Sequence, residues 1–313
     1  MAAEGHRVQV GYHKWMLQDE ARTEALKAMI ADLVRPGDVV ADLGTGTGVL
    51  AALARKAGAA RVYAIDASPI VHWAGRMAQD NGLDQMVFIQ ADVAKVELPE
   101  QVDVVFSECL GNFGLTDAMF DAVGAFARRW LKPGGRRGPT RVQLFLQPID
   151  SRPFWDPRRF WSEPWEGLDL SVFVPANYHQ MLVMDAHEAL LKSKVAQVAD
   201  FDPFERPRQM TLEASWRFED DTMVSGLAGW FDVDWAPNVT MSTGPSAPST
   251  HWRQSFFPVV PRQAAAGERL NVTMEVAFDE REVPTFSWRG VWFGPDGAEV
   301  DRFDMDEYTL LRS

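Results

Sequence analysis

Two acidic side chains lie nine residues apart in a glycine-containing segment, residues 107–117, and are the first candidates for chemistry. The acids are Glu108 and Asp117, and Gly111 and Gly114 between them allow the segment to fold back. Two carboxylates at the entrance of one pocket can hold a guanidinium, whose planar fork of N–H donors matches carboxylate oxygens. They can equally serve as general acid and base, as in glycosidases. The spacing alone also fits a surface loop with solvated acids.

A second candidate is a turn with glycine at every second position, Gly44, Gly46 and Gly48. An apolar run at residues 39–43 precedes it and helix-forming residues 49–56 follow it, which predicts a strand, a turn and a helix. Glycines permit the sharp turn and let the backbone approach a ligand, and the helix start offers free N–H groups. The spacing is not that of the dinucleotide fingerprint, which requires its third glycine one position later.

A second predicted strand, residues 61–65, leads into Asp66, and an acid at this position can accept hydrogen bonds from ribose hydroxyls. The glycine turn together with Asp66 resembles the S-adenosylmethionine site of class I methyltransferases. The resemblance implies S-adenosyl-L-methionine as cofactor and S-adenosyl-L-homocysteine as product. The alternative is another doubly wound domain with a glycine turn.

The elements that must position these residues alternate along the first half of the chain. Strands are predicted at 39–43, 61–65, 86–90, 102–106 and 142–146, with a turn at 131–135. Helices are predicted between them, at 18–30, 49–56, 69–81 and 119–130. Such alternation is typical of βαβ units and a parallel sheet. Because Glu108 follows the fourth strand, it is expected at the carboxyl ends of the strands, where open α/β sheets bind ligands.

The composition changes near Pro148. Nine of the 12 tryptophans follow it, with short alternating segments at 210–218, 226–233 and 270–278. This pattern predicts an antiparallel sheet or barrel, interrupted by one helical stretch at 185–198. We therefore expect two domains, residues 1–148 and 149–313.

Four motifs spread over the chain resemble those of the protein arginine N-methyltransferase family. They are Met16-Leu17-x-Asp19-x-x-Arg22, Ser107-Glu108-x-x-Gly111, Trp130-Leu131-x-Pro133-x-Gly135 and Thr250-His251-Trp252. The resemblance spans roughly the whole chain past the first ten residues. It implies an α/β fold: a Rossmann-like class I methyltransferase domain followed by an antiparallel β-barrel domain with a helical dimerisation arm at about 168–200.

The same resemblance implies roles for individual side chains. Arg22 would contact the carboxylate of the cofactor, and Glu108 would serve both the cofactor and the acceptor. The implied catalytic residues are Glu108, Asp117, His251 and Trp252. The implied cofactor-binding residues are Arg22, Asp42, Gly44, Gly46, Gly48, Asp66, Asp92 and Glu108, and no metal site is expected.

The sequence departs from the family pattern at several positions. Asp117 stands where the family has glutamate, and Arg7 occupies the place of a tyrosine. Gly5 stands where we expect the acid that pairs with the histidine of the Thr-His-Trp loop. Ala94 replaces a glutamate, so Asp92 is expected to bind the adenine amine instead.

Several other side chains also carry groups that can react or bind a cation. Cys109 can be a nucleophile, but a cysteine in the pocket wall is the favoured interpretation. His13 and His72 are expected to be structural or exposed. The aromatic patch at residues 154–165 can be a cage for a cation, although packing in the barrel is favoured.

Charge and composition restrict the partners. The net charge is −13, from 31 basic and 44 acidic residues, which argues against nucleic acid. It fits a cationic acceptor, and solubility alone explains it equally well. We expect peptidyl arginine or a small guanidine or amine compound as the acceptor, and a homodimer formed through the arm. With one cysteine and no apolar run of transmembrane length, no membrane association and a cytoplasmic location are expected.

Two other functions remain open from sequence alone. One is a small-molecule N- or O-methyltransferase of biosynthesis on the same fold. The other is a non-catalytic, methyltransferase-like binding module.

Overall fold

A computed structural model describes residues 10–116, 119–151, 160–173, 181–186 and 193–306. Asp117, Gly5 and Arg7 lie outside the described residues, so the role expected of Asp117 stays a prediction.

The first half of the chain forms a parallel sheet of five strands in the order β3-β2-β1-β4-β5. The strands are β1 (Val39–Leu43), β2 (Arg61–Asp66), β3 (Met86–Gln90), β4 (Val102–Ser107) and β5 (Leu131–Gly138). β1 and β4 are apolar and almost wholly buried, as expected of central parallel strands. The strand order reverses between these two, and such a switch point opens a crevice at the carboxyl ends of the strands.

Five helices accompany this sheet: α1 (Val10–Gln18), α2 (Glu20–Leu33), α3 (Val49–Lys56), α4 (Ile70–Asp80) and α5 (Phe120–Trp130). The apolar face of α5, with Val123 and Phe126, packs in one cluster with Ala41 and Leu43 of β1. A carboxylate starts α2, because the Asp19 side chain accepts a hydrogen bond from the Arg22 amide.

The second half forms two antiparallel sheets. Their strands are β6 (Arg141–Ile149), β7 (Leu182–Met184), β8 (Ala196–Phe201), β9 (Gln209–Arg217), β10 (Thr222–Ala236), β11 (Val239–Ser242), β12 (Gln254–Ala264), β13 (Arg269–Phe278), β14 (Pro284–Phe293) and β15 (Glu299–Asp306). One sheet has the order β7-β12-β10-β6-β8, with β11 beside β10, and the other has the order β15-β14-β13-β9. Trp235, Trp288 and Trp292 are among the largest fully buried side chains, which explains the tryptophan content of this half.

Several predictions about the elements were wrong. Residues 131–135, expected to be a turn, fall within the bounds of strand β5, but its parallel pairing with β4 passes from Leu131 directly to Arg136 and skips residues 132–135, so a turn interrupts the strand. Residues 142–146, expected in the parallel sheet, belong to β6 and pair antiparallel with β10. The change from parallel to antiparallel sheet therefore falls between Gly138 and Arg141, and the domain division at 148 and 149 stays a prediction. Helix α1 was not predicted at all.

The predicted arm is only partly described. In the described part of residues 160–201, no α-helix occurs, and residues 196–198 belong to strand β8. The helix expected at 185–198 is therefore wrong for the part that can be described. Residues 182–184 form β7 and pair with β12, so they belong to the sheet. No helix of the described residues is long and apolar enough to cross a membrane.

Candidate active site

The glycine turn between β1 and α3 has a backbone that ordinary side chains do not fit. Gly44, Gly46 and Gly48 have φ of 73°, 54° and 76°, the left-handed region that favours glycine. A Cβ on Gly48 would lie 2.8 Å from the Cβ of Ala74, and one on Gly44 would lie 2.6 Å from the sulfur of Cys109. The turn therefore requires glycine at these positions for both conformation and space.

Two carboxylates hold this turn from below. Asp66, at the end of β2, accepts a hydrogen bond from the Gly46 amide at 2.9 Å and one from the Ser68 amide at 2.8 Å. Asp42 in β1 is buried and accepts one from the Thr45 hydroxyl at 2.6 Å. Burial raises the pKa of Asp42 to about 7, because the charged carboxylate loses its hydration there.

Glu108 is paired with Arg22 at the mouth of the cleft. Arg22 Nε donates to Glu108 Oε2 at 2.9 Å, and a second guanidinium nitrogen contacts the same oxygen. Both side chains are buried, with exposures of 8% and 6%. Because a buried charge needs a partner, each of these residues stabilises the other. The structure thus joins the residue assigned to the cofactor carboxylate with the residue assigned to the acceptor.

His251 is held by Asp19, at the start of α2. The backbone N–H of His251 donates to Asp19 Oδ2 at 2.8 Å, and His251 Nδ1 lies 2.8 Å from the same oxygen. Burial alone would raise the pKa of Asp19, but the hydrogen bonds from His251 and Arg22 outweigh it and hold this pKa below its ordinary value. The expectation that the acid partner of His251 belongs at position 5 was therefore wrong. Asp19 lay within the Met16-to-Arg22 motif, where its role was not identified.

Trp252 connects this histidine to the acceptor segment. Its indole N–H donates to the Leu110 carbonyl at 2.5 Å, and its own carbonyl accepts from the Asn112 side chain at 2.8 Å. Its ring lies 4.2 Å from that of His251 and 5.9 Å from the Arg22 guanidinium carbon. The Thr-His-Trp loop thus packs against the segment that follows β4.

Two other candidates from the sequence, Cys109 and Asp92, lie in surroundings unlike those of the acceptor residues. Burial raises the pKa of the Cys109 thiol to about 12, so it stays protonated and cannot be the nucleophile at neutral pH. Asp92 is exposed, pairs with Lys95 at 3.3 Å, and is not among the described residues that line the cleft.

The cleft itself is lined partly by a residue that sequence reasoning missed. Its walls include Met16, Arg22, Gly44, Gly46 and Glu108, and His13 of α1 lies beside them. The His13 ring would be 3.1 Å from a Cβ on Gly46. Burial lowers the pKa of His13, so its imidazole is neutral at pH 7. In the sequence, only its position three residues before Met16 could have pointed to His13. It was missed because helix α1 was not predicted.

These residues fit the expected cofactor. The backbone of the glycine turn is open to a ligand, and helix α3, which follows it, begins without a side-chain cap. Arg22 offers a guanidinium for a carboxylate. In the described part of the chain, no group of three or more His, Cys, Asp or Glu side chains is arranged to hold a metal ion.

Two family models match the chain. A methyltransferase domain matches residues 40–135, and an arginine methyltransferase oligomerization subdomain matches residues 140–285. Histone-arginine methyltransferase CARMER of Drosophila yakuba is 31% identical over 257 residues, which cover 76% of this chain and 48% of that protein. The chain spans about half the length of the curated relatives that it matches.

Solved structures are similar over nearly the whole chain. The Trypanosoma brucei PRMT1 enzyme–prozyme heterotetrameric complex with AdoHcy has a TM-score of 0.84 at 27% identity, covering 95% of this chain and 98% of that one. Arabidopsis thaliana protein arginine methyltransferase 10 has a TM-score of 0.81 at 26% identity, covering 95% and 97%. The Rossmann-like sheet followed by an antiparallel barrel, predicted from sequence, is thereby confirmed.

Proposed function

Because the chain belongs to the protein arginine methyltransferase family, we propose that it transfers a methyl group from S-adenosylmethionine to a guanidinium nitrogen of arginine. The observation that carries this proposal is the position of Glu108. It directly follows strand β4 at the switch point of the sheet, lines the cleft together with the glycine turn, and lies two residues before Leu110, which Trp252 contacts.

We propose separate tasks for the two ends of the cleft. The glycine turn, Asp42, Asp66 and Arg22 would hold the cofactor, Asp92 its adenine amine, and bound S-adenosylmethionine supplies an activated methyl group. Glu108 and Asp117 would hold the acceptor guanidinium, which keeps its positive charge away from the attacking nitrogen. The protein contributes positioning and electrostatic stabilisation rather than a covalent step.

The ion pair between Arg22 and Glu108 links binding of the cofactor to binding of the acceptor. Glu108 cannot hold an acceptor with full strength while the same carboxylate oxygen takes both contacts of Arg22. A cofactor carboxylate that competes for Arg22 would free Glu108 for the guanidinium. We therefore propose that the cofactor binds before the acceptor.

A labelled-methyl assay tests the proposed function. The protein is incubated with methyl-labelled S-adenosylmethionine and, in separate reactions, an arginine peptide, its lysine counterpart and a free guanidino compound. We expect label in the arginine peptide. Label confined to the small compound would support the biosynthetic alternative, and cofactor binding without transfer to any acceptor would support a binding module. The family relationships favour neither alternative.

We expect the substitution Asp66→Ala to weaken binding of S-adenosylhomocysteine by about 1–3 kcal/mol, the range for a lost hydrogen bond to a charged group. The carboxylate holds the Gly46 amide in place and is assigned to the ribose. Isothermal titration calorimetry measures the change, with Asp84→Ala, an exposed carboxylate beside Arg55, as the control. Equal affinity of wild type and Asp66→Ala, or tighter binding of NAD than of S-adenosylhomocysteine, would contradict the assignment.

We also propose a homodimer in which the arm docks on the cofactor domain of a second copy. The described residues of the arm and its approach carry exposed apolar side chains: Trp165 (53% exposed), Leu168 (60%), Val172 (71%) and Phe173 (49%). Such a set is larger than a monomer usually leaves in water.

Light scattering tests the dimer. We expect twice the chain mass of 35.1 kDa for the wild type and the mass of one chain for the double variant Leu168→Asp, Val172→Asp. Val260→Asp, at an exposed valine in β12, is the matched control and should remain dimeric. A fully active wild-type monomer at micromolar concentration would refute the proposal.

The remaining expectations of the sequence also stand as proposals. The single cysteine is compatible with a reducing compartment, so we propose a cytoplasmic location. The excess of acidic side chains supports a cationic acceptor rather than nucleic acid.

A further inference from the structure

The segment after β4 is attached to the barrel at its front and in its middle. We call residues 107–119 the acceptor loop. Its front is fixed by Trp252, through Leu110 and Asn112, as described above. In its middle, Phe113 is buried against the rings of Phe257 and Phe286 at 5.2 and 6.3 Å. These contacts hold the loop at Leu110, Asn112 and Phe113, and the next element that they do not hold is the start of α5.

A carboxylate of the barrel holds the start of α5. Helix α5 begins at Phe120, three residues after Asp117. Glu282, in the turn between β13 and β14, accepts hydrogen bonds from the amides of Asp121 and Ala122 at 2.9 and 3.2 Å. Amides in the first turn of a helix have no partner within the helix, so Glu282 supplies the cap that α5 does not supply itself. The residue at the N-cap position, Met119, makes no side-chain hydrogen bond of this kind.

Arg206 holds Glu282 in place from the other side. Its side chain is fully buried, and one guanidinium nitrogen lies 3.6 Å from Glu282 and 3.7 Å from Asp121. The guanidinium carbon lies 3.5 Å from the ring centroid of Phe278 and 5.2 Å from that of Phe120. Since Phe120 and Asp121 open α5 while the other residues belong to the barrel, this cluster joins the two halves of the chain at one point.

The backbone at Glu282 indicates a specific requirement for its side chain. Glu282 has φ of 62°, a region that glycine occupies without strain and glutamate does not. The turn is supported by Asp279, whose side chain accepts from the amides of Arg281 and Val283. A glutamate therefore stands at a position where glycine would fit the backbone better, and its carboxylate is directed at α5.

We propose that Glu282, supported by Arg206, is a positioning residue for acceptor binding, and that it acts by fixing the start of helix α5, which follows Asp117 in the chain by three residues. The inference rests on the proposed function, in which Asp117 forms half of the acceptor clamp. Glu108 follows a strand of the parallel sheet, whereas the start of α5 is held by the barrel, so the two ends of the acceptor loop depend on how the two halves of the chain are joined.

The substitutions Glu282→Gln and Glu282→Ala test the proposal. Gln keeps one oxygen acceptor and loses the charge, whereas Ala removes the cap. Because small displacements of binding groups cost large factors in rate, we expect kcat/KM for an arginine peptide to fall about tenfold in Glu282→Ala and less in Glu282→Gln. The Kd for S-adenosylhomocysteine should stay unchanged, because Glu282 is not among the described residues that line the cleft.

Glu268→Ala is the matched control. Glu268 is also a buried barrel carboxylate, bonded to Arg262 and to the Ala265 amide, but it lies at the opposite end of β13. A strand of that length separates it from Glu282 by about 30 Å. This variant loses a comparable contact of the barrel and should keep wild-type kcat/KM.

Hydrogen–deuterium exchange gives a readout that does not depend on turnover. We expect faster exchange in residues 116–122 of Glu282→Ala, and unchanged exchange there in Glu268→Ala. An equal fall in kcat/KM for both variants, or wild-type exchange and kcat/KM in Glu282→Ala, would overturn the proposal. If the wild type transfers no methyl group to arginine, the proposed function fails instead, and the exchange result alone decides whether Glu282 holds the loop.

Discussion

Replacing Glu108 by Gln is expected to lower turnover on an arginine peptide about 100-fold or more, the range for removing one preorganised electrostatic contact from an active site. Gln keeps the shape of the side chain and removes its charge, so a cationic acceptor loses its strongest partner. Glu108 directly follows the last residue of β4, Ser107, so its position is well fixed. Affinity for S-adenosylhomocysteine should change little, because most of the proposed cofactor contacts come from other residues.

Steady-state kinetics and calorimetry together separate the two effects, since loss of transition-state binding lowers kcat without a matching change in cofactor Kd. Glu100→Gln is a suitable control. Glu100 is also paired with an arginine, Arg61, but it lies away from the cleft. Wild-type turnover in Glu108→Gln would remove the reason for placing the acceptor at this carboxylate.

The second large effect is expected from Asp19→Ala, through stability rather than chemistry. The carboxylate accepts from the amides of Arg22 and His251 and contacts the His251 ring, so its removal leaves several buried groups without partners. We expect a loss of about 2–4 kcal/mol in the free energy of unfolding, from one lost helix cap and hydrogen bonds to a charged group. Urea denaturation at pH 7 measures it.

This loss should depend on pH in a defined direction. The pKa of Asp19 is lower in the folded protein than its ordinary value of 3.8, so its ionised form stabilises the fold above that pH. The difference between wild type and Asp19→Ala should therefore shrink as the pH falls below about 4, when the carboxylate takes up a proton. Glu24→Ala on the same helix removes only an exposed ion pair with Lys27 and should cost little at any pH. An unchanged denaturation midpoint in Asp19→Ala would disprove the role of Asp19 in holding His251.

The parts of the site carried by local sequence could be predicted. The glycine turn needs positive φ at three positions, and only glycine adopts this without strain, so the turn is visible in the sequence. Glu108 could be placed because it follows a mostly apolar strand, which puts it at the carboxyl edge of the sheet.

Features that depend on contacts distant in sequence could not be predicted. The pairing of Asp19 with His251 joins residues 232 positions apart, and no local pattern specifies it. Strand β6 has the same apolar character as a parallel strand, and only its pairing with β10 shows that it belongs to the barrel. Strand β5 contains Pro133 and two glycines, which predict a turn; the pairing with β4 skips residues 132–135 and resumes at Arg136, so this turn lies inside the strand instead of ending it. Helix α1 has no buried residue and therefore shows no clear amphipathic pattern.

The central claim is that the methyl group goes to a guanidinium nitrogen held by Glu108. Tandem mass spectrometry of an arginine peptide after incubation with S-adenosylmethionine and the wild-type protein tests it most directly, with Glu108→Gln in a parallel reaction. We expect fragments that place the added methyl group on the arginine side chain with the wild type, and far less of this product with the variant. A methyl group on another side chain, or equal arginine methylation by both proteins, would contradict it.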